Sequence, residues 1–379
     1  MVTSGLSGNE IFCLKQLGFQ PGEILVGNSV YSLGFVGSLS SGFKNLMGGE
    51  IHEITSLISS GREQAIDRLE AEAVQKKAYG ITGVSSEFIH HMGSGNIEFL
   101  SIGSGVHQNP ATDQLFFSSS VDAAELYCNL DAGYNPRRFV FGNVAYALGL
   151  GRGFIGSFKK LIRGEIKEYS DIFNHTRHIA LERIVADAKA NKANSVVSIN
   201  TKIVPYSIGV TEMLMMGTAS NNAAFPAEYL DQPVTSDLTA TELWSITNMG
   251  LMPLKLVLGT SVFSLGFMGG LSAALKAFVR GEISELTTLI YEAREKAIGL
   301  INDEAKSIGA EDILGVKTYM YDLGNGLLEF MAIGTAVKKN PNLKTKSANL
   351  IPQAIIADKD TYFDSPLSML NSMATPGHK

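Results

Sequence analysis

Cysteine is scarce: Cys13 and Cys128 are the only two in 379 residues. They stand at equivalent places of an internal repeat, in separate domains, where the Cα separation of about 7 Å that a disulfide tolerates is not expected. That excludes a disulfide framework. Both thiols read as small buried hydrophobes of a protein in a reducing, cytoplasmic compartment. An excess of positive charge is also missing, because 31 Lys and Arg stand against 37 Asp and Glu for a net charge of −6. A nucleic-acid partner needs a basic footprint, so none is expected. Charged residues make up only 18% of the chain, low enough to imply that other subunits cover part of its surface. The first residues carry no basic stretch and no long apolar run, so no signal peptide is expected. One uncharged run, Leu256 to Leu275, has the length of a membrane span. It reads instead as a buried strand ending at glycine and then a helix, and its counterpart in the second copy carries Arg152. A membrane partner is therefore not expected.

What the chain does have is the same sequence three times. Gly27-Asn-Ser-Val-Tyr-Ser-Leu-Gly34 returns as Gly142-Asn-Val-Ala-Tyr-Ala-Leu-Gly149 and as Gly259-Thr-Ser-Val-Phe-Ser-Leu-Gly266. Shifts of 115 and 232 also align Glu10 with Glu125 and Glu242, Lys44 with Lys159 and Lys276, and Arg62 with Arg177 and Arg294. A register this long means related domains, not a short-repeat solenoid. The expected division is residues 1–115, 116–231 and 232–348, followed by a C-terminal tail or arm, residues 349–379, punctuated by Pro352, Pro366 and Pro376. Domains of this size can each fold alone.

Each copy opens with a short helix stopped by Gly18, Gly133 or Gly250, and Pro21, Pro136 or Pro253 follows where helix cannot continue. A β-branched and aromatic strand comes next, with Gly27, Gly142 or Gly259 in its middle predicting a bulge or a close backbone approach. A Gly- and Ser-rich segment, Gly34 to Gly49 in the first copy, has apolar residues at helical spacing and predicts a short helix. A long amphipathic helix is predicted from Glu50, Glu165 and Glu282, with Ile51, Ile54, Ile58, Ile66 and Leu69 on one stripe. Ser59-Ser60-Gly61 is a place where it could break. Two strands close the copy, the second beginning at Glu98, Glu212 or Glu329. The fold class is α+β: a small mixed or antiparallel sheet packed against a long amphipathic helix and a short Gly-rich helix.

Gly22-Glu-Ile-Leu-Val-Gly-Asn-Ser-Val, Gly48-Gly-Glu-Ile and Gly61-Arg-Glu-Gln-Ala-Ile-Asp-Arg-Leu resemble the YbjQ-like family, as do Gly309-Ala-Glu-Asp-Ile-Leu-Gly-Val316 and Met331-Ala-Ile-Gly-Thr-Ala-Val337. The resemblance covers most of each copy. It implies the family's fold, assembly into pentamers, and the heavy-metal binding for which the family is named. The chain departs from the family at Tyr31-Ser32, Tyr146-Ala147 and Phe263-Ser264, where an Arg-Asp pair is usual. It departs again at Glu50, Glu165 and Glu282, which stand in place of an arginine.

Chemistry belonging to the module should appear three times. The seven histidines do not recur: His175 and His178 sit three apart on the long helix, while His90-His91 is expected in a loop. Gly151-Arg-Gly-Phe-Ile-Gly156 matches a dinucleotide fingerprint but is absent from the other copies. No nucleophile and base recur together, so no enzyme and no cofactor are expected. The carboxylates Glu50, Glu53, Glu165, Glu168, Glu282 and Glu285 do recur, placed by the pattern in the first turn of the long helix. There they complement the helix dipole, and in a ring they could converge on a divalent metal ion. The triplicated arginines read as ion pairs within a module or across subunits. The expectation is a self-assembling structural protein, its partner itself in a homo-oligomeric ring, with a pentamer favoured. The alternative is a metal-ion or small-ligand binding protein that uses the triplicated carboxylates or a subunit interface.

Overall fold

The computed structural model describes residues 2–32, 49–91, 96–147, 164–207, 210–265, 284–324 and 326–356. The first module runs α1 (Gly8–Gln16), β1 (Gln20–Ser32), β2 (Gly49–Glu50), α2 (His52–Gln75), β3 (Gly80–His91) and β4 (Asn96–His107). The second repeats this after a linker strand, as β5 (Phe117–Ser118), α3 (Ala123–Asp131), β6 (Asn135–Ala147), β7 (Gly164–Glu165), α4 (Lys167–Ala190), β8 (Ser195–Ser207) and β9 (Val210–Asn221). The third has β10 (Val234–Thr235), α5 (Ala240–Asn248), β11 (Leu251–Ser264), α6 (Ser284–Ser307), β12 (Asp312–Gly324) and β13 (Leu327–Lys339), with α7 (Pro352–Ile355) beyond it. The predicted Gly- and Ser-rich helix, Lys44, Lys159, Lys276, the 151–156 motif and the tail from residue 357 lie outside the described residues.

The short helices start alike because their caps are alike. Ser7, Asp122 and Thr239 each accept the N–H of the glutamate three residues on, and Glu10 and Glu242 complete capping boxes. They stop at Gly18, Gly133 and Gly250, at φ of +79°, +87° and +71°. Each long helix runs 24 residues, about 36 Å at 1.5 Å per residue. The first runs straight through Ser59-Ser60-Gly61 without a break.

Each sheet has an antiparallel three-stranded centre, ordered β1-β4-β3, β6-β9-β8 and β11-β13-β12. Linker strands β5 and β10 add in parallel to β3 and β8. The expected mixed sheet is present. Gly27, Gly142 and Gly259 mark close approach, not a bulge. A Cβ on them would meet the carbonyl oxygens of Ala65, Ala180 and Ala297 at 2.0, 2.1 and 2.5 Å. The register shifts lie earlier, next to Pro21, Pro136 and Pro253, as expected for residues that cannot donate to a ladder. His90 and His91, expected in a loop, are the last two residues of β3, where the hairpin extends further than sequence signals show. Cys13 and Cys128 are free and buried in one core cluster, and burial first, then nearby carboxylates, push their thiols up to about 11 and about 12.

The burial of the three sheets differs. In β9 and β13 nearly every residue is buried, whereas β4 alternates between buried and half-buried along its length. β6 and β11 likewise show unbroken buried runs, and β1 alternates. A sheet packed on one face alternates; one packed on both faces does not. The second and third sheets are covered on both faces, the first on one.

Candidate functional site: the junctions between modules

The covering element is the long helix of the preceding module. Helix α2 lies on β1 of its own sheet, and its apolar stripe also packs against the next sheet. Ile66 and Leu69 share a cluster with Phe139, Phe141 and Leu214, and Ile51, Ile54 and Ile58 share one with Ala145, Ala147 and Val210. Helix α4 does the same to the third sheet: Phe173, Leu181 and Ile184 cluster with Leu256, Leu258 and Val262.

Strand addition fixes the docking. β2 pairs antiparallel with β6, Gly49 opposite Ala147 and Glu50 opposite Tyr146. β7 pairs with β11 in the same way, Gly164 opposite Ser264 and Glu165 opposite Phe263. The ladder continues through Ile51 N–H to the Ala145 carbonyl and Ile166 N–H to the Val262 carbonyl, both 2.8 Å. Thr55 and its counterpart Ser170 then accept the N–H of Ala145 at 3.0 Å and of Val262 at 2.9 Å. Each module thus lends two residues of strand to its successor.

Two helical turns further on, an arginine is buried at each junction. Arg62 Nη2 donates to Glu212 Oε2 at 2.8 Å and to the Tyr206 hydroxyl at 3.2 Å, while Nη1 donates to the Ser86 carbonyl at 3.2 Å. Tyr206 stacks on Phe88 of the first module with ring centroids 4.4 Å apart. Arg177 Nη2 donates to both carboxylate oxygens of Glu329, at 2.7 and 3.0 Å, and to the Tyr146 hydroxyl at 2.8 Å. Its Nε and Nη1 find no acceptor, and the guanidinium lies 4.5 and 5.3 Å from the ring centres of Tyr146 and Phe173. Burial opposes the charge on both arginines, but Glu212 and Glu329 more than offset it and hold them cationic. The expected ion pair therefore runs between modules. A buried pair adds little net adhesion, because desolvation cancels most of the attraction, but it tolerates only one register.

The candidate metal carboxylates have other duties. Glu50 and Glu165 do not sit in the helix's first turn. Ile51 and Ile166 are the N-caps in extended conformation, so the glutamates before them belong to the lent strands. Glu50 pairs with Arg183 at 2.8 Å and His52 at 3.3 Å, and Glu165 pairs with Lys296 at 3.6 Å. Glu53 and Glu168 are in the first turn, exposed. Glu282 and the Glu285 side chain lie outside the described residues. Among the described residues no three His, Cys, Asp or Glu side chains are grouped as a metal site requires. A third triplet escaped the sequence reading. Glu72, Asp187 and Glu304 accept the N–H of Val26, Phe141 and Leu258, tying each long helix to its own sheet. Glu304 also takes Lys255 of its own sheet at 2.8 Å and, across the junction, His178 of α4 at 3.4 Å.

A cleft of about 570 Å³ opens among the three sheets. Its charged residues pair with each other, Glu87 with Lys202 at 2.8 Å and Lys317 with Asp237 at 3.1 Å. Glu125 also lines it. Burial first, and then the charge of Asp122, push Glu125 up to about 7, against backbone N–H bonds from Ala240 and Asp122. Between pH 4.5, its ordinary value, and about 7 the folded chain therefore holds a proton that the unfolded chain has released, so this group's contribution falls as pH rises through that window. Glu125→Gln removes the penalty. We expect it to match wild type near pH 4.5 and to exceed it by about 1–2 kcal/mol above pH 7, discounted for partial solvent access. Denaturant midpoints across that range measure the effect, and a difference that does not change with pH would contradict it.

Comparison with known proteins agrees with this architecture. The YbjQ-like family model, described as "Putative heavy-metal-binding", matches residues 20–108, 134–222 and 245–340, more than half of the chain. An encapsulin nanocompartment protein of Mycobacterium tuberculosis is 30% identical over 227 residues, 57% of this chain and 84% of the relative. A UPF0145 protein of Saccharolobus islandicus is 37% identical over 89 residues, 24% of this chain and 78% of its own length. One from Thermosipho africanus is 39% identical over 85 residues, 22% of this chain and 79% of its own. With three matched regions on three structurally repeated modules, the chain belongs to the YbjQ-like family.

Proposed function

We propose that this chain is a non-enzymatic structural protein of the cytoplasm whose work is to assemble with copies of itself into a ring or larger closed particle. The observation that carries this reading is the repetition of one head-to-tail junction, module one onto two and module two onto three. A heterologous junction uses different surfaces on its two sides, so a row of modules is left with one unused surface at each end. Such rows close into rings or run on as filaments. The relative named as an encapsulin nanocompartment protein supports the same direction. The resemblance favours five-fold assembly. Each chain supplies three consecutive modules, so five-fold symmetry would belong to five whole chains and not to five modules.

Light scattering on purified protein tests the proposal. Two chains of 40.7 kDa give roughly 80 kDa and five give roughly 200 kDa. A mass of one chain at micromolar concentration would defeat the reading.

A further inference from the structure

We infer that the unused ends meet, and that Arg294 of one copy binds Glu98 of the next in the way that Arg62 binds Glu212 within a chain. This rests on the assembly proposed above and names its contact.

The surfaces left over by the two internal junctions are complementary. Arg294 is the third of the triplicated arginines. Where Arg62 and Arg177 are buried, it is exposed on α6, and Tyr291 beside it is 63% exposed. Glu98 is the counterpart of Glu212 and Glu329, which are buried, and it is half-buried. Its Oε1 accepts from Asn28 Nδ2 at 2.9 Å, as Glu212 Oε1 accepts from Asn143 Nδ2 at 3.0 Å. Glu212 takes that amide and an arginine together. The first module thus builds the same carboxylate cradle.

The apolar surface around it points the same way. Val26 and Val30 are 45% and 57% exposed, although the residues in their place, Phe141 and Ala145 in one module and Leu258 and Val262 in the other, are buried. Those four are covered by the long helix of a preceding module. Helix α6 is the long helix that covers no successor. The occupant of the first sheet is therefore a second copy's third module. Within one chain Val26, Val30, Tyr291 and Arg294 all stay exposed, so the two ends do not meet there.

Charge reversal tests this. Arg294→Glu and Glu98→Arg each put like charges at the contact and are expected to weaken self-association at least ~100-fold, leaving single chains. Both positions are solvent-accessible in the isolated chain, and unchanged circular dichroism verifies folding. Because the contact is head-to-tail, the double variant that carries Arg294→Glu and Glu98→Arg on one chain restores an opposite pair at every contact of a ring of any size, and it should regain the wild-type mass. If Arg294→Glu keeps the wild-type mass, or the double variant stays monomeric while wild type assembles, the contact is wrong and the assembly reading survives. If wild type itself is a monomer, both fall.

Discussion

Arg177→Met should cost about 3–5 kcal/mol of chain stability, the scale for stranding a buried charge. Glu329 is left with no cation, in a space closed by Tyr146 and Phe173. Glu329→Met should do comparable damage by stranding the arginine. The double variant, with both charges replaced by apolar groups of similar length, should recover most of the loss and could exceed wild type, because the desolvation cost of the pair disappears with it. Urea unfolding followed by circular dichroism measures all three, provided the slope of the transition is unchanged. A single variant that loses less than about 1 kcal/mol would mean that water reaches the pair. Arg294→Met is the internal control. At concentrations where the chain is single this arginine is exposed, so the change should stay within about 0.5 kcal/mol. The same residue type at the same helix position would then differ several-fold in importance according to whether a successor module lies over it.

Much of this was legible in the chain. The triplication, the capped short helices, the strand through Gly27, Gly142 and Gly259 and the long helix follow from local spacing and punctuation. The junction was not, although its ingredients recur. Arg62 stands in register with Ile54, Ile58 and Ile66, four residues apart on an otherwise apolar stripe. Arginine at such a place needs a buried anion, and a glutamate stands third in each closing strand, at Glu98, Glu212 and Glu329. What local pattern cannot convey is which copy of the glutamate meets which copy of the arginine, since any of the three satisfies the same chemistry. The partners turn out to be 150 and 152 positions apart. The lent strands were missed for another reason. Two residues, Gly49-Glu50, are too few to show alternation, and Gly-Glu-Ile ahead of a helix reads naturally as its first turn. Of the carboxylates proposed for a metal, Glu50 and Glu165 were misplaced by that same step. The triplet Glu72, Asp187 and Glu304 was overlooked because its middle member is shorter, though all three grasp the same backbone N–H.

Gly142→Ala should be among the most damaging single-methyl changes in the chain, at about 3 kcal/mol, the upper part of the range for overpacking. Its new Cβ would lie 2.1 Å from the Ala180 carbonyl oxygen and 2.6 Å from the Ile184 nitrogen, both backbone atoms of α4. Relief requires the helix to withdraw, and α4 cannot, because its far side is clamped by β11 through Asn174 and Ser170 and by β13 through the Arg177–Glu329 pair. Gly259→Ala makes the corresponding clash with α6, 2.5 Å from the Ala297 carbonyl oxygen. That helix has an open outer face in the single chain, with Tyr291 and Arg294 exposed, so it can shift outward. About 1–2 kcal/mol is expected there. Denaturant midpoints of the two variants at dilute concentration give the comparison, and equal losses would show that a neighbouring sheet does not restrain the helix. If a second copy covers α6 on assembly, an outward shift would also spoil that contact. Gly259→Ala should then weaken self-association, while Gly142→Ala, whose clash is sealed within the chain, should act on folding alone.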